Sequence, residues 1–153
     1  MIIIEKLFFL KSVPLFKYTP DDLLLDLAYL LKERYVPAGD AIIEMGAFGD
    51  VMYIIAEGTV KVHNKNVVWV ELKQCDVFGE LAALSPEIRT ASVSALENTV
   101  LLEIDNKLLY NMMERNIGLV KGIIEVLCHR TRALSSQLEN FSSLNAGKST
   151  EQK

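Results

Sequence analysis

Cysteine, histidine and tryptophan are scarce in this chain: two, two and one among 153 residues. Cys75 and Cys128 stand far apart, which excludes a CxxC redox or zinc motif and a disulfide-dense secreted scaffold. Two free thiols fit a reducing compartment, so a cytoplasmic location is expected. His63 and His129 form no HxH or HExxH pattern, so no metal cofactor and no metal-dependent catalysis are expected. A Ser-His-Asp arrangement, a full GxxxxGK[ST] phosphate loop and a GxGxxG turn are also missing, and the chain is not expected to be an enzyme. Long apolar runs are lacking as well. Asp26 interrupts Leu23–Leu31 and Glu5-Lys6 interrupt the apolar start, so nothing approaches the ~18 residues of a membrane span. The opening Met1-Ile-Ile-Ile-Glu-Lys has neither the basic region nor the cleavage site of a signal peptide.

What is present reads as one ordinary globular domain, with 50% hydrophobic and 24% charged residues. Basic residues number 16 and acidic residues 20, for a net charge of −4. That balance disfavours nucleic acid or an anionic membrane as a partner, and any anion site needs a local device. Residues 1–33 read as helical. Ile3, Ile4, Leu7, Phe8 and Leu10 suit one short amphipathic helix. A second is expected after Thr19-Pro20-Asp21-Asp22, with Thr19 as cap and acids at the positive helix end.

Residues 34–104 carry short β-branched runs between glycine turns, the pattern of an antiparallel barrel or jelly roll. Asn64-Lys-Asn66 suits a hairpin turn. Residues 105–141 return to helix, with Asp105 as a cap and a break at Asn116 and Gly118. Val120, Ile124, Leu127, Thr131, Leu134, Leu138 and Phe141 then make a narrow apolar seam. Residues 142–153 are polar and expected to be disordered. The fold class is therefore α+β: an antiparallel β-roll, or jelly roll, flanked by N-terminal helices and a C-terminal helix pair.

The segment 78–92 carries the chemistry. It lies between two strand signals and is not expected to be a strand itself. Leu81–Leu84 suits one helical turn, whose first N–H groups favour an anion, and Gly79 lets the backbone approach a ligand. Arg89 offers a fork of donors that matches phosphate oxygens. Glu80 is a carboxylate beside an anion site, and a carboxylate accepts hydrogen bonds from sugar hydroxyls. Phosphate donors beside a sugar-hydroxyl acceptor describe a nucleotide site. A surface ion pair of Glu80 with Arg89, worth under about 1 kcal/mol, is the plain alternative.

Phe78-Gly79-Glu80-Leu81 followed by Arg89-Thr90-Ala91-Ser92-Val93 resembles the phosphate-binding cassette of the cyclic-nucleotide-binding domain family. The family includes the catabolite activator protein, regulatory domains of cyclic-nucleotide-dependent kinases, and cyclic-nucleotide-modulated channels. Gly39-Asp40 and the run Gly46, Gly49-Asp50, Met52-Tyr53-Ile54-Ile55, Gly58, Val60 and Val62 resemble the family's upstream signature. The resemblance implies a non-catalytic sensor whose ligand is cAMP or cGMP. It implies that Arg89 holds the cyclic phosphate and Glu80 the ribose 2′-hydroxyl, aided by the backbone near Gly79. Amides of Leu81, Ala82 and Ala91 would complete the phosphate cradle. Thr90 would reach the phosphate or a syn guanine amino group, and Val62 and Val70 would wall the base.

The resemblance further implies that the last helix is a lid, with Arg130 and Leu134 near the base and Arg132 on another face. The same 120–141 segment also suits a homodimer interface. Too few residues follow Phe141 for a helix-turn-helix domain, so direct nucleic-acid binding is not expected. Any effector is expected in another domain or protein, as for a sensor fragment of a transporter, channel or transcription regulator. A ligand-free structural or dimerisation roll is the remaining alternative.

Overall fold

The computed structural model describes residues 1–150. Helix α1 (Ile3–Ser12) leads through a 3-10 turn, Pro14–Phe16, to α2 (Asp21–Leu30). Strands β1 (Lys32–Val36), β2 (Ala41–Ile43), β3 (Phe48–Gly49), β4 (Val51–Glu57), β5 (Val60–His63), β6 (Val68–Leu72) and β7 (Val77–Phe78) come next. A short helix α3 (Glu80–Leu84) precedes β8 (Glu87–Ile88), β9 (Ser92–Ala95) and β10 (Thr99–Asp105). Helices α4 (Asn106–Arg115) and α5 (Ile117–Thr150) complete the fold. One sheet runs β1-β10-β4-β7 and a second β2-β9-β5-β6, while β3 pairs with β8. Every pairing is antiparallel, giving the α+β jelly-roll-like architecture.

Side-chain alternation divides the core in two. Along β4, Met52, Ile54 and Ala56 face the helices, while Tyr53 and Ile55 face the interior of the roll. The helical layer contributes Leu10, Phe16, Leu24, Leu27, Leu109 and Ile123 to the first cluster. The second cluster fills the roll with Val36, Ile43, Val60, Phe78, Val93 and Leu101. β4 is thus buried on both faces, which is why it reads as a continuous apolar run. The β5–β6 turn is built by Asn64, whose Oδ1 accepts from the amides of Asn66 and Val67, each at 2.9 Å.

The helix ends show which local signals acted. Asp105 Oδ1 accepts from the Leu108 amide at 2.8 Å and caps α4. Asn116 Oδ1 accepts from the amides of Gly118 at 2.7 Å and Leu119 at 3.3 Å, starting α5. Thr19 is not a cap. Pro20 holds the N-cap position of α2 without a side-chain bond, and its carbonyl receives the Leu24 amide at 3.0 Å. The Thr19 amide is tied to the Phe16 carbonyl at 2.9 Å, and its buried Oγ1 has no hydrogen-bond partner among the described residues. With Asp21 as first helical residue, Thr19 lies one position too early to cap it.

Three segments differ from expectation because tertiary contacts or propagation decide them. β1 begins at Lys32, inside the stretch read as helix, since Lys32 to Val36 pair with Glu103 to Thr99. Glu87 and Ile88 form a strand within 78–92 by pairing with Gly49 and Phe48. Helix α5 continues through 142–150, where disorder was expected, and residues 151–153 lie outside the described residues. Once a helix is nucleated, each further residue adds a bond at little cost, and no proline stops this one.

Gly118 and Gly122 lie on the same face of α5, where it crosses the segment containing the 3-10 turn. A Cβ on Gly118 would fall 1.9 Å from the Tyr18 carbonyl oxygen, and one on Gly122 1.9 Å from that of Leu15. Gly118 therefore serves close helix-to-backbone contact and does not break the helix. Gly122→Ala is expected to lose about 1–3 kcal/mol of stability in urea unfolding, because the helix must move away. Gly147→Ala, where a Cβ meets nothing within 4 Å, should be neutral or stabilising. Equal stability of the two variants would contradict the tight crossing.

Candidate functional site

The site grows from the turn that joins β7 to α3. Phe78 stacks on Tyr53 of β4, with ring centroids 5.1 Å apart, and anchors the turn to the roll. Burial lifts the Tyr53 hydroxyl above its ordinary range, against the opposing pull of the Arg34 and Arg89 charges. Gly79 then adopts φ +76°, a left-handed conformation that starts α3. The first amides of such a helix have no acceptor within it and face outward.

Arg89 returns to this point from the far side of α3. Its Nη2 donates to the Val51 carbonyl at 2.6 Å and its Nη1 to the Gly79 carbonyl at 3.3 Å. Its backbone is held by bonds to Ala47 O and from Gly46 N. The guanidinium fits because position 49 has no side chain: a Cβ there would stand 2.0 Å from Arg89 Nε. Spacing had singled out Arg89 and Gly79, but not Gly49 as the residue that makes room for the arginine.

Glu80 is only 6% exposed, so its carboxylate faces inward. It does not pair with Arg89. Arg130 of α5 reaches across instead, with Nη1 on Glu80 Oε1 and Nη2 on the Val77 carbonyl. The far end of α3 is held from α4. Asn106 Nδ2 donates to the Ala83 carbonyl at 2.6 Å and the Tyr110 hydroxyl to the Leu84 carbonyl at 2.7 Å. α3 is thereby tied at one end to α5 and at the other to α4.

These groups surround a cavity of about 780 Å³, within the usual range for small-molecule sites. Val62, Val70 and Val93 line it from the roll. Gly79, Glu80, Leu81, Ala82, Arg89, Thr90 and Ala91 line it from the cassette, and Arg130 and Leu134 from α5. The residues singled out from sequence therefore meet around one cavity. Thr90 and Leu134 are exposed within it, while Glu80 and Ala82 are buried. Arg130 is turned to Glu80 and Val77, although its sequence position had suggested contact with a base. Trp69, His129 and Gln137 also line the cavity and were not picked out from spacing. Among the described residues no cluster of histidine, cysteine and carboxylate suits a metal ion. His63 is engaged with Ser94 Oγ at 2.9 Å and the Asn64 carbonyl at 3.0 Å.

Residues 33–116, more than half of the chain, match the family model described as the cyclic nucleotide-binding domain. The chain belongs to the cyclic nucleotide-binding domain family. A cGMP-dependent protein kinase of Drosophila melanogaster, isozyme 2 forms cD5/T2, is 34% identical over 121 residues, covering 74% of this chain. A cyclic nucleotide-gated potassium channel of Mesorhizobium japonicum is 40% identical over 93 residues, covering 61% of this chain. The chain spans only 13% of that kinase and 26% of that channel. The solved Thermus thermophilus catabolite activator protein superposes with a TM-score of 0.76 at 24% identity, over 84% of this chain and 63% of that one, and shares the fold. No helix among the described residues is long and apolar enough to cross a membrane.

The Glu80–Arg130 pair makes a specific demand on the domain. Arg130→Ala leaves a buried carboxylate without its cation, a loss of about 1.5–3 kcal/mol for a hydrogen bond to a charged group. Hydrogen exchange should rise in α3 and in the turn of α5 around Arg130, while β4 and β10 stay protected. Unchanged exchange at α3 and α5 would show that the pair does not hold them together.

Proposed function

We propose that this domain is a sensor that binds cAMP or cGMP in the cavity and transmits binding through α4 and α5. The observation that carries this reading is the convergence of Arg89, Gly79 and Glu80 on one cavity with an apolar wall from the roll. Arg89 holds the cyclic phosphate, aided by the amides of Leu81, Ala82 and Ala91. Glu80 accepts the ribose 2′-hydroxyl. Thr90 reaches the phosphate or a syn guanine amino group, which suits either nucleotide. Val62 and Val70 wall the base, and Leu134 covers it from α5.

Transmission follows from what α3 touches. A ribose approaching Glu80 meets the carboxylate that Arg130 already holds, so capture of the sugar and the seat of α5 share one group. Movement of α3 also pulls on Asn106 and Tyr110 of α4. The ligand shifts the helices only as far as it prefers one arrangement over the other. The domain needs no cofactor and performs no catalysis in this reading, and its effector lies in another domain or protein, as the kinase and channel relatives support. Free Cys75 and Cys128 fit the reducing cytoplasm.

Calorimetric titration of the chain with each nucleotide tests the reading. Saturable heat is expected with at least one, and Arg89→Ala should weaken it tenfold or more while the fold melts cooperatively. A roll that ignores both nucleotides is a structural module and not a sensor.

A specific observation also favours self-association. Ile124, Leu134, Leu138 and Phe141 of the α5 seam are 53%, 61%, 67% and 65% exposed. We propose that Ile124, Leu138 and Phe141 pair with the same seam of a second copy, as an a/d stripe does in a coiled coil, while Leu134 stays on the cavity. Sedimentation should show a dimer that Leu138→Lys makes monomeric. A wild-type chain that remains monomeric at high concentration excludes this pairing.

A further inference from the structure

We propose that Trp69 is the stacking platform for the base of the bound nucleotide, an assignment that rests on the cyclic-nucleotide reading of the cavity. Strict alternation along β6 would put Trp69 on the face opposite Val70. The register does not alternate there. Val62 pairs with Val70 and His63 with Val68, which leaves Trp69 as the extra residue of a β-bulge. A bulge re-aims a side chain, and both Trp69 and Val70 line the cavity.

The placement suits a ligand better than it suits a core. β6 is the edge strand of its sheet, so no further strand covers Trp69 on that side. Trp69 is 49% exposed, although tryptophan is highly buried on average. Neighbouring Val62 and Leu72 pack against the interior cluster of the roll. A broad, flat, half-uncovered ring beside a phosphate-and-ribose site has the shape and polarity of a surface for a planar heterocycle. Stacking on an indole uses the face that every base presents, so this wall holds adenine and guanine alike and leaves discrimination to Thr90.

Trp69 is the only tryptophan in the chain, so intrinsic emission reports on it alone. The chain is titrated with cAMP and with cGMP while emission and heat are followed in parallel. Emission is expected to change with the same saturation curve as the heat. Trp69→Ala should weaken both nucleotides about tenfold, and Trp69→Phe should stay within about threefold of wild type. A cyclic ribose phosphate without a base should bind wild type and Trp69→Ala equally, which separates a lost stack from a damaged fold. Saturating heat with unchanged emission, or wild-type affinity in Trp69→Ala, overturns the platform and leaves the sensor reading intact. Absence of heat with either nucleotide overturns both.

Discussion

The seat of the Arg89 guanidinium is the constraint on which the site depends. Bonds to the carbonyls of Val51 and Gly79 aim it, and the missing side chains at positions 49 and 79 give it room. These bonds join the start of β4, the start of α3 and the segment between β8 and β9. A guanidinium carries five donors, so they orient it without exhausting it. A net-negative protein thereby presents a fixed positive charge at one end of an apolar roll. Main-chain carbonyls hold the guanidinium in this position.

A second layer of polar contacts ties the cassette to the C-terminal helices. Glu80 is buried, and a buried ion pair adds little net stability compared with apolar side chains. Here it joins α5 to the cassette. Asn106 and Tyr110 do the same for α4 by satisfying the carbonyls at the end of α3. The short helix is thus bound at both ends, to α5 and to α4.

Much of the fold was legible because it rests on local signals. Val51 to Ile55 reads as strand from its apolar run, Asn64 as a turn residue and Asp105 as a cap, and each acts within a few residues of itself. Phe78-Gly79-Glu80 and Arg89 could be picked out because a left-handed glycine, a carboxylate and a guanidinium have few local alternatives for their chemistry. Thr19 misled for a related reason. Its type suits a cap, but the bond from its amide to Phe16 takes it out of the helix start.

The amino-acid order alone determined the zones of helix and strand, the glycine turns and the chemical groups of the cassette, since these follow from backbone preferences and side-chain type over short spans. Tertiary structure decided which groups meet. Arg130 finds Glu80 across a separation of 50 residues, Gly122 meets the Leu15 carbonyl, and Trp69 of β6 lines the same cavity as Arg89. Such meetings depend on how distant elements are registered and crossed. No short-range periodicity carries that information.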